Sequence, residues 1–410
     1  AAVYSGEDSE SLGPYLKSGR TPDQIRAFMA YPESPVAHAD SGDLLGLSFA
    51  VKDLFDVAGY PTSGGQPILL AASGIKTQHA RLVDQVLAAG ASFVGKTVTD
   101  ELAFSLNGSN AHFGAPINGA APDRLSGGSS SGSASAVSLG CADFALGTDT
   151  GGSVRAPASH CGLFGLRPTH GRLSSEGCLP LAPSLDVPGW FAKDIEPFAA
   201  VGKVLLGADT QPLKHPRMLM PTDLWELLTA EAAPSARAAV EPIQQHLGGA
   251  QSVKVVLENF DAMTLSFRRI QGREAWESHG DFIERYSPVL GPGVAERFAW
   301  SKTVTLDEFH AARSFRAKFV AYIDSLLGAN SVLIFPTMPD CAPMRSTPES
   351  SLEDYRSRSL KLLCVAGLSG CPQISLPLVA RAGVPLGISI LGPRGSDQSL
   401  IALAQQFMRP

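Results

Sequence analysis

Short apolar runs closed by glycine or proline alternate with stretches of helical spacing through the first half of the chain. The run LLGLSFAVKDLFDV, from Leu44 to Val57, has the apolar, β-branched look of a strand. RLVDQVLAAGASFVGKT, residues 81–97, reads as a helix, a glycine turn and a second strand. Residues 106–132 are dominated by Gly, Asn, Ser and Pro and predict loop. SASAVSLG then has the small-residue composition of a helix packed tightly on a neighbour, and CADFALGTD reads as a buried strand ending in another glycine turn. Between about Gly207 and Gly328 the spacing becomes helical, which predicts a mostly helical layer or cap over about 207–330. Strand character returns in SVLIFPTMP, PQISLPLV and PLGISILGP. Strands at both ends with helices between them predict an α/β protein in which one sheet is crossed by the whole chain. No fixed-period repeat or low-complexity linker divides it, so residues 1–410 read as a single large domain.

Composition narrows the partners. A 44% hydrophobic and 18% charged chain of 410 residues can bury a large core, which excludes disorder as a description of the whole. The 33 Lys+Arg stand against 39 Asp+Glu, a net charge of −6, so nothing draws the chain to phosphate backbones or anionic lipid, and neither nucleic acid nor membrane is an expected partner. No apolar run reaches the roughly 18 residues of a membrane span. The first residues, AAVYSGEDSESLGPYLKSGR, lack a basic-then-apolar signal layout, and a cytoplasmic protein is the expectation. Cys141, Cys161, Cys178, Cys341, Cys364 and Cys371 are too dispersed for a disulfide framework and read as core thiols of a reducing compartment. The nine histidines form no close pair, so a metal is not implied.

The densest chemistry lies in residues 125–168, where two Gly-Ser turns sit about one helix and one strand apart. A Gly-Gly-Ser turn aims several backbone N–H groups at one point, a nest that holds a phosphate or an oxyanion. A lone turn of this kind is usually a tight connection with a serine cap; two framing a strand read differently. Neither G-x-x-x-x-G-K-[ST] nor G-x-G-x-x-G is present. GSSSG at 128–132 fits a nucleophile elbow centred on Ser130, but loop-like sequence precedes it where that motif needs a strand. SGIK at 73–76 fits S-x-x-K without its companion motifs.

Four separated blocks, AVKD (50–53), GGSSSGSASA (127–136), ALGTDTGGSVRAPASHCGLFGLRPTHGRLS (145–174) and PLGISILGP (385–393), occur in the order in which they occur in the amidase signature family, serine hydrolases that cleave carboxamides. The chain resembles that family over most of its length, and its short stand-alone members, such as indole-3-acetamide hydrolase-like and malonamidase-like amidases, in particular. The resemblance implies a central mixed β-sheet flanked by helices, with region 207–330 setting specificity. It also implies a Ser–Ser–Lys triad of Ser153 as nucleophile, Ser129 as a bridging serine on a cis peptide bond, and Lys52 as base. The backbone N–H groups of Thr150, Gly151, Gly152 and Ser153 would form an oxyanion hole, with Asp149 and Arg155 as support and Lys96 in a structural role. The implied ligand is a small-molecule amide, with no metal and no cofactor, and a homodimer is compatible with this reading. Ser126 before the first turn, and Ala366-Gly367-Leu368 where an Asn is frequent, depart from the common pattern without touching the triad.

The residue types fit the chemistry independently. A serine hydroxyl needs a base, and lysine serves only when burial lowers its pKa from roughly 10.4 toward neutrality; Lys52 follows the apolar LSFAV. Asp53, next in a strand, should face the other way. Phe104, Leu181, Trp190 and Trp276 are candidate walls of an acyl pocket, as an aryl or arylalkyl amide would need. An amidase subunit of a larger complex, hydrolysis of a carbamate, ester or acylurea, and a lapsed ligand-binding protein remain open alternatives.

Overall fold

The computed structural model describes residues 19–408; the N-terminal segment read above for a targeting signal lies largely outside the described residues. The first half of the chain builds β1 (Ser48–Lys52), α1 (Arg81–Ala88), β2 (Ser92–Thr97), α2 (Ser131–Ser138), β3 (Phe144–Asp149), α3 (Arg155–Cys161), β4 (Phe164–Arg167), β5 (Val187–Ala192) and α4 (Ile195–Leu206). The second half adds β6 (Arg217–Pro221), α5 (Ala233–His246), β7 (Ala250–Val253), α6 (Phe260–Tyr286), α7 (Val294–Thr303), α8 (Leu306–Leu327), β8 (Ser331–Pro336), α9 (Glu353–Ser369), β9 (Gln373–Arg381), β10 (Val384–Leu391) and α10 (Asp397–Phe407).

All ten strands join one sheet in the order β2-β1-β3-β5-β4-β9-β10-β8-β6-β7. The sheet is mixed: β2, β1 and β3 run parallel at one end and β8, β6 and β7 at the other, with antiparallel pairing between. Because β1 and β3 are parallel neighbours, with Val51 opposite Leu146, their C-terminal ends emerge at the same edge. That edge carries Lys52 and the loop that begins at Asp149.

Helix α2 shows why this sequence packs as it does. Ser131 to Val137 are all buried, and their small side chains let the helix lie almost on the neighbouring backbone. A Cβ on Gly132 would stand 2.4 Å from the Ala27 carbonyl oxygen and 2.6 Å from the Val98 amide nitrogen, so only glycine fits. Two of the buried serines satisfy their hydroxyls on neighbouring carbonyls: Ser133 donates to the Leu146 carbonyl at 2.9 Å and Ser135 to that of Ile117 at 2.6 Å. Further along, Thr305 and Glu308 close a capping box that starts α8.

Region 207–330 differs from the expected helical cap. Besides α5 to α8 it contributes β6 and β7, which extend the sheet to its far edge. RMLMP and AQSV are short and do not alternate, so their sequence carries no period-2 signal. Trp190 is also not a cavity wall. It is fully buried in β5, its ring 5.4 Å from that of Phe198 and its indole N–H donated to the Phe198 carbonyl at 3.1 Å. Trp190→Ala is expected to lower the unfolding free energy by about 3–5 kcal/mol, measured by urea denaturation; a loss below about 1 kcal/mol would contradict this core placement.

Candidate active site

Three segments converge at the shared edge of β1 and β3. Lys52 ends β1, fully buried, and its Nζ donates to Ser129 Oγ and to Thr148 Oγ1, each at 2.7 Å. No carboxylate pairs with it among the described residues. Loss of hydration on burial pushes its pKa down from 10.5 to about 8. The bond between Gly128 and Ser129 is cis. The Ser129 carbonyl accepts from the Asp100 N–H and the Thr99 hydroxyl, both at 3.0 Å, which fixes the loop against the end of β2. The Ser130 N–H donates to the Ser153 carbonyl at 3.3 Å, tying the first Gly-Ser turn to the second.

That second turn, between β3 and α3, is organised by Asp149. Its carboxylate accepts from the N–H of Gly152 (2.9 Å), Val154 (3.1 Å) and Arg155 (3.2 Å), from Arg155 Nε (2.9 Å) and Nη2 (2.7 Å), and from Arg167 Nη1 (3.0 Å). Burial alone would raise the Asp149 pKa, but the Arg155 guanidinium, its hydrogen bonds and Arg167 hold it well below the usual carboxylate range. Arg155 continues to the Leu363 carbonyl (2.9 Å) and Gln373 Oε1 (2.7 Å). Asp149 and Arg155 thus shape the turn.

The four amides named for an oxyanion differ in their partners. Gly152 N–H is taken by Asp149, whereas those of Thr150, Gly151 and Ser153 donate to no acceptor among the described residues. Gly152 itself has φ +117°, and a Cβ there would lie 2.5 Å from Leu363 Cδ1, so the turn requires glycine.

Ser153 and Gly151 line a cavity of about 490 Å³. Phe104, Phe267, Trp300, Met338 and Leu360 supply apolar wall. Of the expected wall residues only Phe104 is here; Leu181 lines a smaller neighbouring cavity, and Trp276 lines neither, lying beneath the Lys302 ammonium at 5.1 Å.

The other candidate groups are engaged elsewhere. Lys96 forms a fully buried ion pair with Asp53 at 2.6 Å and donates to the Pro61 carbonyl and the Thr62 hydroxyl. Asp53 therefore faces away from Lys52. Ser130 Oγ donates to the Thr148 carbonyl at 3.2 Å, and no strand leads into its turn. Lys76 pairs with Asp56 at 3.5 Å. Among the described residues no group of three or more His, Cys, Asp or Glu side chains is gathered as a metal site, and no helix is long and apolar enough to cross a membrane. Thr148, Arg167 and Asp186, whose carboxylate accepts from the Thr150 hydroxyl at 2.5 Å, were not singled out from the sequence, although the first two lie inside the strongest block and signal themselves only by adjacency.

A family model described as Amidase matches residues 21–262 and 286–401. Amidase 1 of Arabidopsis thaliana is 36% identical to this chain, over 91% of it and 95% of the relative. Mandelamide hydrolase of Pseudomonas putida is 31% identical, over 90% of this chain and 79% of its own. A solved structure described as the crystal structure of amidase matches with a TM-score of 0.82 at 29% identity, covering 96% of this chain and 93% of that one.

The buried cluster around Asp149 makes its own prediction. Asp149→Asn keeps the shape but leaves Arg155 and Arg167 without a counter-charge, and is expected to cost about 3–5 kcal/mol of folding stability, read by chemical denaturation.

Proposed function

The chain belongs to the amidase family, hydrolases acting on amide bonds, and we propose that it cleaves a linear carboxamide to carboxylate and ammonia or amine through an acyl-Ser153 intermediate. The observation that carries this reading is Lys52, a buried lysine with hydroxyls and no carboxylate on its Nζ. In the neutral form it accepts a proton from Ser129, which accepts that of Ser153 as Ser153 Oγ bonds to the carbonyl carbon. The displaced electron pair moves onto the carbonyl oxygen, where the N–H groups of Thr150, Gly151 and Ser153 meet it; one such donor is typically worth about 2.7–4 kcal/mol of barrier. As the C–N bond breaks, its electron pair stays on nitrogen, Ser129 gives nitrogen a proton, and the Lys52 ammonium restores Ser129. Water then repeats the sequence on the acyl carbon. The 490 Å³ cavity with its aromatic and aliphatic wall supports an aryl or arylalkyl acyl group, in keeping with the name of the mandelamide relative. Six free thiols support the cytoplasmic location that we propose with it.

Exposure to a fluorophosphonate should leave one adduct, on Ser153 by peptide mapping. Ser153→Ala should abolish it and lower amide turnover by roughly 10⁴-fold or more, while Lys52→Ala should slow labelling sharply; an adduct on Ser130 would overturn the assignment.

The Lys52 pKa gives the pH profile. The reacting form is neutral, so kcat/KM should rise by about tenfold per pH unit below the pKa and level off above about 8. A profile flat between pH 6 and 9 would remove Lys52 from the role of base.

A further inference from the structure

Behind the nucleophile turn lies a second cavity of about 120 Å³, lined by Thr148, Thr150, Cys178, Leu181, Asp186 and Val187 among others. Its position is defined by the turn itself. Gly151 and Ser153 line the larger cavity, Thr150 lines the smaller one, and Ala103 belongs to both linings. On the acyl-Ser153 reading, a carbonyl whose oxygen is met by the amides of Thr150, Gly151 and Ser153 sits between the two linings, with one substituent toward each cavity. The small cavity is the one that adjoins the proton relay: Thr148, in its wall, accepts from Lys52 Nζ at 2.7 Å. The nitrogen must lie on that side, because it is the atom that receives the relay's proton when the C–N bond breaks.

We propose that this cavity is the leaving-group subsite, and that it confines the enzyme to primary amides and amides of small amines. The inference rests on the acyl-Ser153 reading. Size sets the limit: an apolar cavity of about 150 Å³ holds benzene, so 120 Å³ takes ammonia or an amine of up to about five heavy atoms and excludes aniline. Charge acts in the same direction. The departing amine becomes an ammonium ion on protonation in water, and the Asp186 carboxylate, held by the Thr150 hydroxyl and the N–H groups of Leu181 (2.8 Å) and Ala182 (2.9 Å), gives the wall the opposite sign.

The test keeps the acyl group fixed and varies the amine, comparing phenylacetamide with its N-methyl, N-isopropyl and N-phenyl derivatives. The first two should have kcat/KM values within about tenfold of each other, and the anilide should be about 100-fold slower or more although aniline is the better leaving group. Leu181→Ala, or Cys178→Ala should the first fail to fold, should raise the anilide-to-primary-amide ratio by about tenfold while leaving the ratio of phenylacetamide to acetamide unchanged, since that ratio reads the other cavity. An anilide cleaved as fast as the primary amide, or a ratio unmoved in both folded variants, overturns the subsite; with Ser153 still labelled by fluorophosphonate, the acyl-enzyme reading survives that result. Wild-type protein that neither labels at Ser153 nor cleaves any phenylacetyl amide overturns both.

Discussion

Everything at this site hangs on one buried carboxylate. Asp149 gathers three backbone amides and two guanidinium groups on a residue with no exposure to solvent. An arrangement of this kind adds little to stability against an apolar core of the same volume, because desolvating three charges is expensive. Its value is geometric. By drawing the N–H groups of Gly152, Val154 and Arg155 onto one carboxylate, Asp149 fixes the turn that leads from Ser153 into α3. Arg155 and Arg167 extend the hold to Leu363, Gln373 and Leu185, so that a local turn is anchored to β9, α9 and the chain leading into β5.

Two lysines, both buried and both with depressed pKa, show how context divides labour. Desolvation lowers each. Lys96 is met by Asp53 in an ion pair that locks the end of β2 to that of β1. Lys52 is met only by hydroxyls, which stabilise a charge far less than a carboxylate does. The first holds structure and the second, in the mechanism we propose, trades protons, though the side chains are identical and their strands adjacent.

What the sequence disclosed follows from what is local. β1, β2 and β3 were legible because each is an apolar run stopped by glycine or a polar turn, and the two Gly-Ser turns because their composition is so unlike the rest. β4 and β5 were not: FGLR and VPGWFA are buried on both faces, so no alternation marks them, and their Gly and Pro suggest loop. Lys52, Ser129 and Ser153 could be named from family likeness, and the structure brings Lys52 against Ser129 and places Ser153 on the cavity. Contacts made across the sheet were beyond reach: the tie between Thr150 and Asp186 and the retreat of Trp190 into the core depend on which strands are neighbours.

Helix α9 meets the site twice. Its first turns present Tyr355, Arg356, Ser359 and Leu360 to the large cavity, while Leu363, one turn on, receives Arg155 and fills the space beside Gly152. One end of a rigid rod is therefore wall and the next is buttress. On the acyl-Ser153 reading, descendants of such a gene can exchange residues 355–360 and acquire new acyl preferences while the turn braced at 363 is inherited intact, so diversification of diet and preservation of chemistry are written into successive turns of a single helix.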